Sequence, residues 1–361
     1  MRRRTIFIGM ILIISSIPFV HNAFAINDIP DVEPGERAPI DSTFHESLSL
    51  GLEYVFSEQY ERAVALFDSL QKVFPDHPAP YFYMAATYQS WMSSYRFSKF
   101  QPELEENVQS AIDIGDRLME NNDDPWLNFY VGAAYGYRGF YRFRKHNWIG
   151  AYLDGKKGVG NFEKALDKVP NIYDCYLGMG SYHYWRTAKS KFIKVVAFWM
   201  KDRREMGLEQ IRFSIDHGRY TSEEASYGLI IAYYDFGWYD KAFELNEIAI
   251  GFCDPPTLPA LFMRGRLSAH SGRWDKAKST FEQILNRIEN YKYQSVGYQV
   301  ECKYWIAEAL KAEGENQKAL KMAQNALEQS LQRDKKVELE NPVDNFDEIK
   351  KRLTKLHESL K

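Results

Sequence analysis

The sequence predicts an all-α fold built from pairs of helices. Small and aromatic residues recur at matching positions in successive helix-length segments along most of the chain. No segment shows the sustained alternation of apolar and polar residues that is typical of a half-buried strand. With 361 residues, of which 45% are hydrophobic, the chain can bury a large core. We therefore expect a helical repeat protein with almost no sheet.

Residues 1–25 predict a secretory signal peptide that is cleaved. Arg2–Arg4 precede an apolar run from Ile6 to Val20, and Ala23–Ala25 forms a small-x-small cleavage site. Serine and proline interrupt the run, which falls short of the ~18–20 apolar residues that a spanning helix needs. No cysteine follows the cleavage site, so we expect no lipid anchor. The mature chain should begin near Ile26 and be periplasmic or secreted, without a transmembrane helix.

Leu50–Pro75 contains the unit that recurs. Gly51 and Ala63 are small enough for two helices to cross closely, and Phe67 fills the adjacent space. Pro75 ends the second helix. The segment resembles a tetratricopeptide repeat. This resemblance implies a right-handed α-solenoid of stacked helical hairpins.

Six further units follow, and the resemblance extends over about residues 41–330. Each unit is marked by small and aromatic positions on its two helices. These are Tyr81, Ala85 and Ala111; Gly132, Tyr135 and Phe162; Leu177, Gly178 and Ile211; Leu229, Tyr233 and Ala242; Gly265, Ala277 and Phe281; and Ala307, Leu310 and Ala323. Thr221, followed three residues later by Glu224, predicts a capping box at the start of the fifth unit. We expect about seven hairpins over residues 41–333.

The segments that flank the repeats differ in composition. Residues 26–40 contain three prolines and four acids against one arginine, which predicts an extended linker. Residues 334–361 are strongly charged but carry an apolar stripe at helical spacing. The stripe consists of Phe346, Ile349, Leu353 and Leu356. We expect a C-terminal capping helix that covers the last apolar face of the solenoid.

Three central units are longer than the others. Equivalent small positions are 34 residues apart in the first unit, which is the period of the family, and then 47, 46 and 52 residues apart. Shared between two helices, each excess adds roughly 9–13 Å to a helix. Elongated hairpins over about residues 79–220 would form a ridge at one edge of the solenoid.

The extra residues of these units are basic and aromatic. The stretches 92–100, 136–157 and 184–204 hold fifteen lysines and arginines against two acids, although the whole chain has a net charge of −3. Such a surface favours an acidic protein partner. The residues assigned to this basic-aromatic ridge are Arg138, Arg142, Arg144, Lys145, Lys189, Lys191, Trp199, Arg203 and Arg204.

The segment 189–204, KSKFIKVVAFWMKDRR, leaves three interpretations open. As a helix it is apolar nearly all round, so it is expected to pack between the elongated hairpins. With its basic flanks it is also compatible with a docking surface for an acidic protein or an anionic envelope polymer. The third interpretation is peripheral contact with a membrane through Trp and Phe. Nucleic acid is excluded as a partner by the predicted export.

The sequence contains no motif that predicts an active site, a cofactor or a metal. GAYLDGKK at 150–157 imitates a P-loop, but Lys157 stands where Ser or Thr binds magnesium, and no strand precedes it. The eight histidines are scattered without metal-ligand spacing. Three cysteines, Cys175, Cys253 and Cys302, do not make a disulfide framework, although one pair remains able to bridge.

The function that follows is a non-catalytic protein-binding scaffold or adaptor of the cell envelope. It would bind partners through the concave groove of the solenoid or through the basic-aromatic ridge. The alternative is an accessory subunit of an envelope enzyme, or an enzyme whose active site carries no recognisable motif.

Overall fold

The computed structural model describes residues 35–188, 201–341 and 343–361. Within these ranges the chain forms fifteen α-helices and no strand. The helices are α1 (Ser42–Phe56), α2 (Tyr60–Val73), α3 (Pro78–Tyr95), α4 (Gln101–Met119), α5 (Pro125–Arg144), α6 (Trp148–Lys168), α7 (Cys175–Ala188), α8 (Arg204–His217), α9 (Ser222–Phe236), α10 (Tyr239–Ile250), α11 (Leu258–His270), α12 (Trp274–Glu289), α13 (Val296–Ala312), α14 (Asn316–Ser330) and α15 (Phe346–Leu360). The predicted all-α class is confirmed. None of these helices has the length and apolar character needed to cross a membrane.

The helices α1 to α14 pair in chain order into seven hairpins, each of which packs on the next. The crossings fall at the predicted small residues. A Cβ atom added to Gly265 would lie 2.7 Å from the ring of Phe281, and one added to Gly51 would lie 2.4 Å from the ring of Phe67. Close approach of the two helices therefore requires glycine at these positions, and the predicted solenoid of helical hairpins is confirmed.

Two of the three predicted long hairpins have long helices. The helices α3 and α4 contain 18 and 19 residues, and α5 and α6 contain 20 and 21. In the third, α7 and α8 have 14 residues each. Its extra residues fall between Ala188 and Arg204, and residues 189–200, with Lys189, Lys191 and Trp199, lie outside the described residues.

The last helix packs on the last hairpin. The apolar stripe of α15 is buried against α13 and α14. The apolar residues of α13 and α14 that face the stripe are buried as well. Asn345 caps the helix, because its side chain accepts a hydrogen bond from the backbone N–H of Glu348 at 2.9 Å. The segment between α14 and α15 runs back to the ends of α3 and α5.

The described part of the predicted linker is not helical, and it packs on the repeats. The backbone N–H of Gly35 donates to the carbonyl of His217 at 3.2 Å, and that of Ala38 donates to the hydroxyl of Tyr220 at 3.2 Å. Ala38 is buried. The predicted signal peptide lies outside the described residues.

The predicted capping box at the start of α9 is wrong. Thr221 occupies the N-cap position, but its side chain makes no capping hydrogen bond. Its hydroxyl donates to the carboxylate of Asp174 at 2.9 Å and contacts Ser214 at 2.8 Å. Glu224 accepts a hydrogen bond from the hydroxyl of Tyr137. Partners from other hairpins therefore occupy the two side chains that a capping box would use.

Candidate functional site

The first two hairpins of the solenoid contact the segment that joins the sixth and seventh hairpins. The indole N–H of Trp91 donates to the hydroxyl of Tyr291 at 2.6 Å, and the ring of Tyr95 stacks on Tyr291 with centroids 3.7 Å apart. At the surface, the ammonium of Lys292 lies 2.6 Å from the carboxylate of Glu61. The superhelix therefore closes on itself, and the expected concave groove becomes a partly enclosed cavity.

A buried ion network lies at the centre of this contact. Arg96, at the end of α3, pairs with Glu301 of α13 at 2.5 Å, and its guanidinium lies over the ring of Tyr298 at 3.6 Å. Arg266 of α11 pairs with Glu301 at 3.4 Å and with Asp344 at 2.7 Å. Arg96, Arg266 and Glu301 are each at most 6% exposed. Since buried charges are stable only when paired, each member depends on the others.

The segment 336–340 adds backbone contacts to the closure. The N–H of Ser98 donates to the carbonyl of Val337 at 2.9 Å, and the N–H of Leu339 donates to the carbonyl of Arg96 at 3.1 Å. These bonds flank the isolated bridge between Phe97 and Glu338. The turn after α3 is therefore held by a segment more than 230 residues away.

The closed superhelix surrounds a cavity of about 410 Å³. Its walls are formed by the first helices of most hairpins, together with α2 and α6. Aromatic side chains dominate the lining, among them Phe82, Tyr137, Phe143, Tyr182, Tyr227 and Phe262. A cavity of this size and apolar character is typical of sites for small organic ligands.

Two buried acids in the cavity wall are held by neighbouring donors. Glu224 accepts a hydrogen bond from Tyr137, and burial raises the pKa of its carboxyl. Asp174 accepts a hydrogen bond from the backbone N–H of Tyr220 at 2.7 Å. Burial raises the pKa of Asp174 as well, and its hydrogen bonds lower that pKa in part. Both carboxyl groups thus join segments that are distant in the chain.

A third acid of the wall, Glu58, belongs to the closure. It accepts a hydrogen bond from the backbone N–H of Leu258 at 3.2 Å and pairs with the guanidinium of Arg287. Burial raises the pKa of the Glu58 carboxyl, against the opposing effect of Arg287. This acid therefore links the turn after α1 to the sixth hairpin.

Arg144 lines the cavity and has no acid partner. The sequence placed it on the surface ridge, but it is only 4% exposed, because the C-terminal end of α5 lies beneath the segment before α15. Its Nε–H donates to the carbonyl of Glu340, while its Nη2 atom is buried without a hydrogen-bond partner. Burial and the nearby charge of Arg96 lower the pKa of Arg144 to about 9. No described carboxylate lies within ion-pair distance of it.

The neighbouring cations of the predicted ridge also have partners within the chain. Arg138 contacts both carboxylate oxygens of Asp154 at 3.0 Å, and Arg142 contacts one of them at 2.6 Å. Asp154 is buried between α5 and α6. The ammonium of Lys145 donates to the carbonyl of Lys336 at 2.9 Å. These three residues therefore stabilise the hairpin and the closure rather than standing free.

Two ridge residues lie at the start of α8, where Arg203 precedes the helix and Arg204 is its first residue. Arg203 is exposed, and Arg204 pairs with Asp202 at 2.7 Å. The assignment of the ridge residues to a partner-binding surface stays a prediction.

The outer face of the α5–α6 hairpin displays apolar side chains to solvent. Ile149 is 75% exposed and Leu153 is 52% exposed. Lys156 and Lys157 are exposed beside them on α6. We call Ile149 and Leu153 the outer patch. The sequence analysis did not identify this patch. A signal was present, because Ile149 and Leu153 are four residues apart and lie outside the buried stripe of α6.

The sulfur atoms and the P-loop-like segment have structural explanations. All three cysteines are free thiols, and Cys175 and Cys302 are buried, which raises the pKa of their thiols. The segment 150–157 lies inside α6 and forms no loop. Across the described ranges, no cluster of three or more His, Cys, Asp or Glu side chains has an arrangement suited to a metal ion.

Comparison with known proteins bears on the fold alone. The tetratricopeptide repeat profile matches residues 259–287, which form the α11–α12 hairpin, and this match confirms the predicted resemblance. No curated protein matches the sequence.

Solved structures with a similar fold include NprR in complex with its cognate peptide NprX, PilW, a type IV pilus biogenesis factor, and the human IFIT1 dimer with PPP-AAAA. NprR is 15% identical, with 88% of this chain and 84% of that chain covered and a TM-score of 0.43. PilW is 15% identical, with 79% and 93% covered and a TM-score of 0.30. IFIT1 is 16% identical, with 74% and 68% covered and a TM-score of 0.37. Likenesses at this level do not identify a ligand.

Proposed function

We propose that the protein is a non-catalytic protein-binding scaffold that acts outside the cytoplasm and binds its partner through the outer patch. The observation that carries the proposal is the exposure of two large apolar side chains one turn apart on α6, Ile149 and Leu153. Exposed apolar groups rimmed by polar residues are typical of protein interaction surfaces.

The rim of the patch favours an acidic partner. Lys156 and Lys157 are exposed on α6, and the one acid of this stretch, Asp154, is already neutralised by Arg138 and Arg142. The outer face of the hairpin thus keeps a positive charge beside its apolar side chains. Complementary charge of this kind steers association and selects against basic partners.

Two further observations support a binding role outside the cytoplasm. The first 25 residues have the charge pattern, apolar run and cleavage site of a signal peptide. In the cavity, Glu58, Asp174 and Glu224 are all engaged in bonds that join segments distant in the chain. Acids fixed in this way support a structural role for these groups rather than proton transfer.

Site-specific photo-cross-linking in the native host tests the proposal. A photoreactive amino acid at Ile149 or at Leu153 should give the same covalent adduct with one envelope protein. Val73 is the matched control, because it is 67% exposed and lies on α2, far from this hairpin in the chain. The Lys156→Glu, Lys157→Glu double variant should lose the adduct at Ile149. Equal adducts from all three positions, or none from Ile149 and Leu153, would refute the outer patch as the binding surface.

A further inference from the structure

The interior cavity contains an unusual combination of groups. Its wall is aromatic and apolar, yet Arg144 is one of its lining residues, and the Nη2 atom of Arg144 is buried without a partner. The other buried arginine of the wall, Arg96, is neutralised by Glu301 at 2.5 Å. An unpaired guanidinium in an apolar site is unfavourable unless a ligand supplies the opposite charge.

We propose that the cavity binds an anionic amphiphile, a long-chain monocarboxylic acid whose carboxylate pairs with Arg144 and whose alkyl tail occupies the aromatic interior. This site is separate from the outer patch and goes beyond the proposed scaffold function. The volume of about 410 Å³ lies within the range of pockets that enclose small organic ligands.

The geometry of Arg144 favours a single carboxylate as the head group. One edge of the guanidinium is occupied, because Nε–H donates to the carbonyl of Glu340. The Nη2 atom remains to donate a charge-assisted hydrogen bond. Arg96 is already paired with Glu301, whereas Arg144 has no acid partner. The proposal therefore assigns the head group to Arg144, and hexadecyl phosphate is the probe that tests the choice of a single carboxylate.

The rest of the wall favours an alkyl tail over a peptide. A peptide brings a backbone N–H and C=O at every residue, and each needs a partner when buried. Two of the four serines of the wall are already engaged, since Ser94 bonds to Tyr60 at 2.8 Å and Ser93 accepts from Gln89 at 2.8 Å. Among the described lining residues, the buried polar atoms without a partner belong to Tyr83, Gln89, Arg144 and Arg186. The rest of the lining is mostly apolar, so it offers few partners for the backbone of a bound peptide.

Calorimetric titration of the purified protein with palmitate and with 1-hexadecanol tests the proposal. We expect one palmitate per chain, bound at least tenfold more tightly than the neutral alcohol of the same length. Each buried methylene contributes about 0.8 kcal/mol to binding. Shorter acids leave the tail site partly empty, so each methylene removed from the alkyl chain should weaken binding about fourfold. This comparison needs no variant. Failure of wild type to bind palmitate, equal binding of the alcohol, or tighter binding of hexadecyl phosphate would overturn the proposal.

Three variants locate the site. Arg144→Met should weaken palmitate binding at least tenfold and leave 1-hexadecanol within about twofold. The control Arg142→Met removes a neighbouring cation that does not line the cavity, and it should bind palmitate like wild type. Ala86→Phe fills the cavity from α3 and should abolish binding of both probes. Circular dichroism and urea unfolding confirm that each variant is folded. Unchanged palmitate binding in folded Arg144→Met or Ala86→Phe would place the ligand elsewhere and contradict the proposal.

Discussion

The two longest hairpins, α3–α4 and α5–α6, resemble each other in sequence but face different surroundings. Both carry extra basic and aromatic residues. The end of α3 is buried in the closure, where Arg96 is 6% exposed and pairs with Glu301. The start of α6 displays Ile149, which is 75% exposed. Position along the curve of the solenoid, rather than composition, therefore decides whether such a hairpin closes the superhelix or remains available to a partner.

The closure should account for the largest effect on stability. Glu301→Ala leaves Arg96 and Arg266 buried without their shared counterion, so we expect the free energy of unfolding to fall by about 3–5 kcal/mol. Asp68→Ala is the control, because Asp68 pairs with Lys72 at an exposed site and should change stability by less than about 1 kcal/mol. Urea unfolding measures both. Similar small changes in the two variants would argue that the closure contributes little.

Substitutions at helix crossings should have the second-largest effect on stability. Two glycines form a matched pair, because Gly265 lies at a close crossing and Gly136 does not. Gly265→Ala places a Cβ atom 2.7 Å from the ring of Phe281, and we expect a loss of about 1–3 kcal/mol. Gly136 of α5 has no heavy atom within 4 Å of the added Cβ, so Gly136→Ala should stabilise by about 0.5–1 kcal/mol. Urea midpoints should move in opposite directions. Equal losses would contradict the assigned crossing.

The stability of the α3–α4 hairpin should depend on pH through the residue that caps its first helix. His77 caps α3, accepting a hydrogen bond from the backbone N–H of Ala79 at 3.2 Å, and burial lowers its pKa to about 4. Since the unfolded pKa is near 6.5, protonation favours the unfolded chain, and stability should fall as pH drops from about 6.5 to about 4. His77→Asn keeps a capping side chain and should flatten this part of the profile. An unchanged profile in thermal unfolding would refute this role for His77.

The outer patch should have the smallest effect on stability. Ile149→Asp changes a side chain that is mostly in solvent, so the free energy of unfolding should change by no more than about 0.5 kcal/mol. The photo-cross-link at Leu153 should nevertheless disappear in this variant. A large loss of stability would mean that Ile149 packs within the fold, and the comparison between the two hairpins would then fail.

The hairpins could be predicted from sequence because each depends on contacts between near neighbours. Gly51 against Phe67 and Gly265 against Phe281 are both 16 residues apart, and the repeat period places them together. The cap at Thr221 could not be predicted, because its hydroxyl is taken by Asp174, which is 47 residues away. Local pattern therefore identifies the repeat but not the competition between distant partners.

The cavity and its unpaired arginine could not be predicted for a similar reason. Arg96 meets Glu301 across 205 residues, and Arg144 meets Glu340 across 196. Such contacts depend on small rotations summed over all the repeats, which no single position in the sequence specifies. The basic stretches were visible, but the sequence did not show that Arg138 and Arg142 share Asp154. The count of basic residues therefore overestimated how many of these side chains are free to bind a partner.

Zero-length cross-linking tests the closure of the superhelix most directly. A carbodiimide couples carboxylates to amines that are in contact, and Glu61 and Lys292 lie 2.6 Å apart, both about half exposed. We predict an intramolecular link between these two residues by peptide mass spectrometry, at a yield comparable to the local pair Asp68 and Lys72. If the local pair is linked and Glu61 is never joined to Lys292, the solenoid is open in solution and the cavity keeps the open form of a concave groove.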